Sequence, residues 1–438
     1  MKRTSRIPGF YKLGPKARLK RVQAFAGLTE DEAKTLCSAG SLTLEQANRM
    51  IENVAGVMPI PLGIAVNFLI NGKDYLIPMA IEEPSVVAAA SYAAKMARAK
   101  GGFSASTTEP IMIGQIQVVD VEDAQAARRA ILHVKDAVLD KANEQDPLLV
   151  SLGGGAKDMQ VRVIETLLGP MVIVELLVDC RDAMGANAVN TMSEAVAPLL
   201  ERITGGRVDL RIISNLASKR LARAKVVIAK EEVGGAEVVE KIVQAYAFAA
   251  ADPYRCATHN KGVMNGVTAV VLATGNDTRA MEAGAHAYAA ISGRYKPLTV
   301  WEKNPEGDLV GTIELPVAVG LVGGATKSHP VARVNVKILG VATATELGAV
   351  LACVGLAQNL GALRALANEG IQRGHMALHA RNIAVEAGAT GDLVDIVAQR
   401  MVEEKTIRLD RAKEILHELE EDRNSTGPNG MTEDYHKS

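Results

Sequence analysis

Apolar residues crowd into two short runs, 62–70 and 75–81, on either side of the polar tetrapeptide NGKD at 71–74. Two strand-like runs joined by an Asn-Gly turn predict a β-hairpin, because Asn and Gly tolerate the positive φ of a tight turn. The next run, PSVVAAASYAAKMARA (84–99), opens with proline and continues in alanine, which predicts a helix starting at that proline. Upstream, Thr29 and Thr43 stand three residues before Glu32 and Gln46, the spacing at which two ends of a first helical turn cap each other. The texture changes near 109. From EPIMIGQIQVVDV to LRIISNLA, strand-like runs alternate with helical stretches at 122–144 and 187–203. Strand–helix–strand–strand–helix–strand is the order of a ferredoxin-like unit.

The fold class expected is therefore α+β. Residues 1–108 and 217–370 form two parts of a large, mainly helical domain, with helices at 237–251 and 345–368, and 109–216 form the inserted small domain. Residues 371–438 form a charged helical domain ending in the polar tail NSTGPNGMTEDYHKS, which is expected to be disordered. The uncharged stretch LGAVLACVGLAQNLGAL (347–363) is the best candidate for a membrane span. It is short of the ~20 apolar residues a span needs and contains Gln358 and Asn359, so a buried central helix is expected.

Composition narrows the function classes. Aromatics are only 3% of the chain, so the core rests on Ala, Val, Leu and Ile. With 49 Lys and Arg against 50 Asp and Glu, no nucleic-acid or membrane surface covers the protein as a whole. Cys37, Cys180, Cys256 and Cys353 are too scattered for a zinc or disulfide framework, and no signal peptide opens the chain, so a reducing cytoplasm is expected.

Several stretches carry candidate chemistry. The glycine clusters LGGGAKD (152–158) and GLVGGATK (320–327) fail both the dinucleotide fingerprint and the P-loop pattern, and each also reads as a tight turn. DAMGANAVN (182–190) sets Asp182, a glycine and two asparagines at a helix entrance, where backbone amides attract phosphate; a plain helix cap has the same look. Glu82 and Glu83 stand between an apolar strand and an apolar helix, a place that suits a general acid or merely favours two acidic groups near a helix start. DPYRCATHNKGVMNG (252–266) is the richest polar stretch and reads as a functional loop. In it Lys261 suits an oxyanion, and Asp277, at the end of an apolar strand in LATGND, would hold that lysine charged. Last, His375 and His379 stand one helical turn apart, compatible with a zinc helix, a proton donor or chance.

In this order, ENVAG (52–56), EEPSVVAAAS (82–91), DAMGAN (182–187), THNKGVMNG with LATGND (258–277), GLVGGATK and GHMALHARN (374–382) resemble the 3-hydroxy-3-methylglutaryl-coenzyme A (HMG-CoA) reductases, most nearly the soluble class II form. The resemblance spans about residues 5–420. It implies interconversion of HMG-CoA with mevalonate and coenzyme A by two hydride transfers from a nicotinamide, without metal. It assigns catalysis to Glu83, Lys261, Asp277 and His375, the last protonating the departing thiolate. Arg255, Ser85, Thr258, Asn265 and Asn215 would contact substrate or the lysine network. The small domain would hold the dinucleotide through Asp182, Met184, Gly185 and Asn187, with Gly323 and Gly324 from the second cluster. Asp146 would accept the ribose hydroxyls and repel a 2′-phosphate, favouring NADH over NADPH, with NADP use still open. ENVAG would lie in the interface of a homodimer or higher assembly of dimers, with active sites between subunits, and 371–438 would act as a closing flap. Two other readings remain beside it: a different CoA-thioester reductase, and a non-catalytic CoA- or nucleotide-binding module.

Overall fold

The computed structural model describes residues 4–38, 40–368 and 371–425, with the backbone alone for 368, 371–378 and 422–425. Asn71 and Gly72, at φ 49° and 78°, turn the chain between β1 (Leu62–Ile70) and β2 (Lys73–Ala80), as the Asn-Gly step predicts. The hairpin is one edge of a six-stranded sheet, completed by β3 (Phe103–Thr107), β8 (Leu221–Ile228), β9 (Thr299–Lys303) and β10 (Leu309–Pro316) in the order β2-β1-β3-β8-β10-β9. Between β3 and β8 the chain builds a second sheet from β4 (Ile111–Val119), β5 (Gly155–Thr166), β6 (Gly169–Asp179) and β7 (Arg207–Ile213). Its order is β5-β6-β4-β7, antiparallel throughout. The protein is α+β, as expected.

Alternation sets the inner face of the second sheet. Val172, Val174, Leu176 and Val178 on β6 are fully buried and pack with Ile131 of the helix Ala124–His133 and with Val189, Met192 and Leu200 of the helix Ala186–Thr204. The helix Ala344–Asn368 is long and apolar enough to cross a membrane by length and composition, yet its residues 350–360 are buried almost without exception. Both predicted capping boxes form, at Thr29 with Glu32 and at Thr43 with Gln46. The alanine-rich helix runs Val86–Ala97, so Pro84 precedes it instead of opening it; Ser85, at φ 70°, makes the corner first.

The chain divides into two units, 1–364 and 365–438. In the second, the helices Ile371–Glu386, Leu393–Glu403 and Leu409–Ser425 share a small core of Ala380, Ala384, Val397, Met401 and Ile415. Arg411 joins two of these helices by bonds to Glu404 and Glu418. The tail lies outside the described residues.

Candidate active site

Asp252 caps a helix by accepting the Arg255 N–H at 2.7 Å, and Pro253 fills the first helical position, where its missing N–H costs nothing. The helix then runs unbroken over Pro253–Ala273. Two expectations are corrected here: 252–266 is helix and not loop, and the apolar stretch before Asp277 is the end of the same helix and not a strand. Of the two glycines that looked like loop markers, Gly266 is a packing residue and Gly262 is not. A Cβ at Gly266 would lie 2.8 Å from Gln358 Cβ and 3.0 Å from the Val354 carbonyl oxygen; one at Gly355 would lie 2.9 Å from a Val267 methyl. Small residues thus let this helix press directly on the central helix Ala344–Asn368.

At about 100° per residue, Arg255, Thr258, Lys261 and Asn265 share one face of the helix, opposite the buried Cys256, Val263, Val267 and Val270. β2 packs on this helix, and the chain leaving β2 delivers Glu83 to that face. The Lys261 ammonium donates to Glu83 Oε2 at 2.5 Å and the Asn265 amide to Oε1 at 3.2 Å, so each carboxylate oxygen has a partner. Glu82 is the exposed neighbour, as expected. Ser85, two residues beyond Glu83, holds the left-handed conformation at an energy cost on the order of 1–3 kcal/mol. Arg255 is half-buried and makes no side-chain ion pair among the described residues, leaving its bidentate fork available.

Behind Lys261 the helix is fixed by a buried polar network. Asn260 donates to the Lys296 carbonyl at 2.9 Å and accepts from the Leu298 N–H at 2.9 Å. Asn359 Oδ1 accepts both Trp301 Nε1–H and the Thr299 hydroxyl, so Thr299 Oγ1 is left to accept from His259 Nε2 at 2.6 Å. His259 is therefore the Nε2–H tautomer, with a bare, buried Nδ1. Burial, helped by Arg255, pushes its pKa down to about 4.

Asp277 is not beside Lys261. Its Oδ1 accepts the N–H groups of Arg279 and Ala280, capping the helix Thr278–Ala289, and it pairs with Arg279 at 3.2 Å. Lys261 has Glu83 as its carboxylate partner instead. Thr268 bonds Glu282, which places residue 282 level with 268 and Asp277 beyond the helix end. Twelve residues, about 18 Å along the helix axis, separate Lys261 from Ala273. Asn215 is exposed; its carbonyl faces Gly284 of the Thr278–Ala289 helix, and its side chain makes no hydrogen bond among the described residues.

The structure gathers DAMGAN, GLVGG and TGND. The Leu321 N–H donates to the Asp182 carbonyl at 2.8 Å, Ala183 bridges Val322, and the Gly320 N–H donates to Asn276 Oδ1 at 2.8 Å. Gly185, at φ 105°, precedes the helix Ala186–Thr204, whose start has no side-chain cap and no acidic residue in its first turn; Asn187 is exposed there. Nineteen residues of helix ending in free amides fit a dinucleotide's phosphates. Met184 is half-buried beside Gly320, and Gly323 (φ 81°) and Gly324 (φ 54°) open a five-residue helix with empty space around them. Asp182 itself accepts the Ala344 N–H at 2.7 Å, and Asp146 caps the short helix Pro147–Ser151 through the Leu149 N–H at 2.8 Å. Both carboxylates thus have structural duties that the sequence reading did not foresee. Sequence reading also missed Arg220, whose buried guanidinium meets three carbonyls, and Asn276. SKRLARAK looks like an ordinary basic surface, and the TGND quartet drew attention only to its aspartate. His375 lies on the helix Ile371–Glu386, its side chain outside the described residues; His379 on the same helix is exposed.

The model of the family hydroxymethylglutaryl-coenzyme A reductase matches residues 15–380. The 3-hydroxy-3-methylglutaryl-coenzyme A reductase of Archaeoglobus fulgidus is 64% identical over 416 residues, covering 95% of each chain. A probable enzyme of the same name from Borreliella burgdorferi is 38% identical, covering 76% of this chain and 77% of its own. Among solved structures, a class II 3-hydroxy-3-methylglutaryl-CoA reductase from Streptococcus pneumoniae, bound to NADPH in open conformations, superposes with a TM-score of 0.79. It is 40% identical, covering 93% of this chain and 100% of its own. A second structure of the S. pneumoniae enzyme gives 0.81 at 39% identity, with 94% and 99% covered. The class of protein is an oxidoreductase. Within it, this chain belongs to the hydroxymethylglutaryl-coenzyme A reductase family, as the ordered motifs imply.

Proposed function

We propose that the chain interconverts HMG-CoA with mevalonate and coenzyme A at a centre built on Glu83, Lys261 and Asn265, completed by Asp277 of a second copy. The observation that carries this is the three-way contact of Glu83 with Lys261 and Asn265 on one exposed helix face. The nicotinamide, when bound, supplies the hydride for each of two reductions. Lys261 offers its ammonium to the oxygen that gains charge at the thioester or aldehyde carbonyl. Glu83 takes up a proton from solvent and passes it to the alkoxide during aldehyde reduction, with Asn265 holding its other oxygen in place. Arg255 pairs with the free carboxylate of the substrate, and Ser85 and Thr258 border the same moiety. His375 protonates the leaving thiolate, a role that suits an imidazole.

Two copies are required because Asp277 cannot reach Lys261 within one chain. The stretch 50–61 around ENVAG supports a homodimer: almost every residue in it is exposed, with Met50, Ile51, Val57, Met58 and Ile60 among them. The dinucleotide belongs at the start of the helix Ala186–Thr204 in the small domain 109–216, with Gly323 and Gly324 opposite. NADH is the preferred cofactor if Asp146, its Oδ2 free while Oδ1 caps, meets the ribose. The enzyme works in the cytoplasm. Nicotinamide absorbance with HMG-CoA and either NADH or NADPH tests the activity. Asp146→Ala is expected to narrow the NADH:NADPH efficiency ratio, and an unchanged ratio removes Asp146 from cofactor choice.

A further inference from the structure

Arg220 is 3% exposed and has no carboxylate in ion-pair contact among the described residues. Its guanidinium is satisfied by backbone: one terminal nitrogen donates to the Ala183 and Met184 carbonyls at 3.0 and 3.2 Å, the other to the Val319 carbonyl at 2.6 Å. A buried charge is costly unless such partners are fixed around it, so this arrangement holds all three carbonyls turned inward.

A trans peptide is planar, and its N–H points opposite its C=O. If the carbonyls of 183 and 184 face Arg220, the N–H groups of Met184 and Gly185 face away from it. Neither donates to another group among the described residues. The same rule turns the Gly320 N–H away from Arg220, and it is found on Asn276, 2.8 Å off. The two segments are packed without slack: a Cβ at Gly320 would lie 2.4 Å from the Met184 nitrogen.

We propose that Arg220 is a positioning residue for the dinucleotide: by clamping residues 183–184 to 319 it aims a run of free amides, 184–187, at the phosphates. This rests on the reading of the helix start as the dinucleotide site. Arginine's planar fork is what reaches three carbonyls at once, and lysine, a point charge, cannot reproduce it.

The test measures NADPH and HMG-CoA dissociation constants separately, with the thermal midpoint, in Arg220→Lys, Arg220→Met, Gly320→Ala and Asn187→Asp. Arg220→Lys is expected to keep a midpoint near that of the parent while weakening NADPH about tenfold, a change of about 1.4 kcal/mol, and leaving HMG-CoA unchanged. Gly320→Ala, which wedges the two segments apart with Arg220 intact, is expected to give the same split; it decides the matter if the Arg220 variants do not fold. Asn187→Asp puts a negative charge at the helix start and reports on the site alone. If it leaves NADPH binding intact, the site reading fails. If it weakens NADPH while Arg220→Lys and Gly320→Ala do not, or weaken both ligands equally, the Arg220 clamp is overturned and the site stands.

Discussion

Lys261 shows how much one side chain's surroundings decide. Its ammonium has a carboxylate on one side and solvent on the other, so a substrate oxygen can approach without a buried charge being uncovered. Lys261→Ala is expected to lower kcat at least ~10²-fold with the thermal midpoint preserved, the usual scale for loss of an oxyanion donor; near-normal turnover would remove it from the chemistry. Two helix positions earlier, His259 is buried and neutral. Its pKa falls from 6.5 to about 4 on folding, so between those values the unfolded chain binds a proton that the native one refuses. Stability is therefore expected to fall as pH drops from 6.5 to 4, by up to about 3 kcal/mol from this group, and to gain no further loss from it below 4. His259→Asn should flatten that part of a urea-midpoint profile against pH; an unchanged slope would assign it elsewhere.

Among the elements, the helix Pro253–Ala273 taught most about what sequence conveys. Its cap, Asp252-Pro253, is a start signal that the sequence reading did not use, taking the dense polar residues and glycines as a loop. Gly266 serves contact with a helix about ninety residues away, which no local pattern encodes. The hairpin, the capping boxes and the ferredoxin-like order were legible because each is set by residues adjacent in sequence. The motifs also singled out Glu83 and Lys261, which the fold brings into contact. Their joining with Asn265, the caps made by Asp146, Asp182 and Asp277, and the Arg220 clamp all depend on tertiary placement. One consequence is testable at this scale. Gly266→Val is expected to destabilise the fold by about 1–3 kcal/mol through overpacking against Val354 and Gln358, and Gly262→Ala, with only one atom at 4.0 Å, to be neutral. Equal midpoints for the two would contradict the close helix contact.

For the whole molecule, the proposed site needs two copies, because Lys261 lies twelve residues before the end of its helix and Asp277 lies beyond that end. Lys261→Ala and Asp277→Ala homodimers are each expected to be inactive. Co-expressed, half the dimers carry one chain of each kind, and in these one site keeps both native residues while the other loses both. Activity on the order of a quarter of the parent's should return, following from the two-fold symmetry of such a dimer. Purifying the mixed dimer by two different tags and measuring its HMG-CoA-dependent NADPH oxidation is the direct measurement: the account predicts about half of wild-type turnover per dimer, and activity no higher than that of the single-variant homodimers would contradict it.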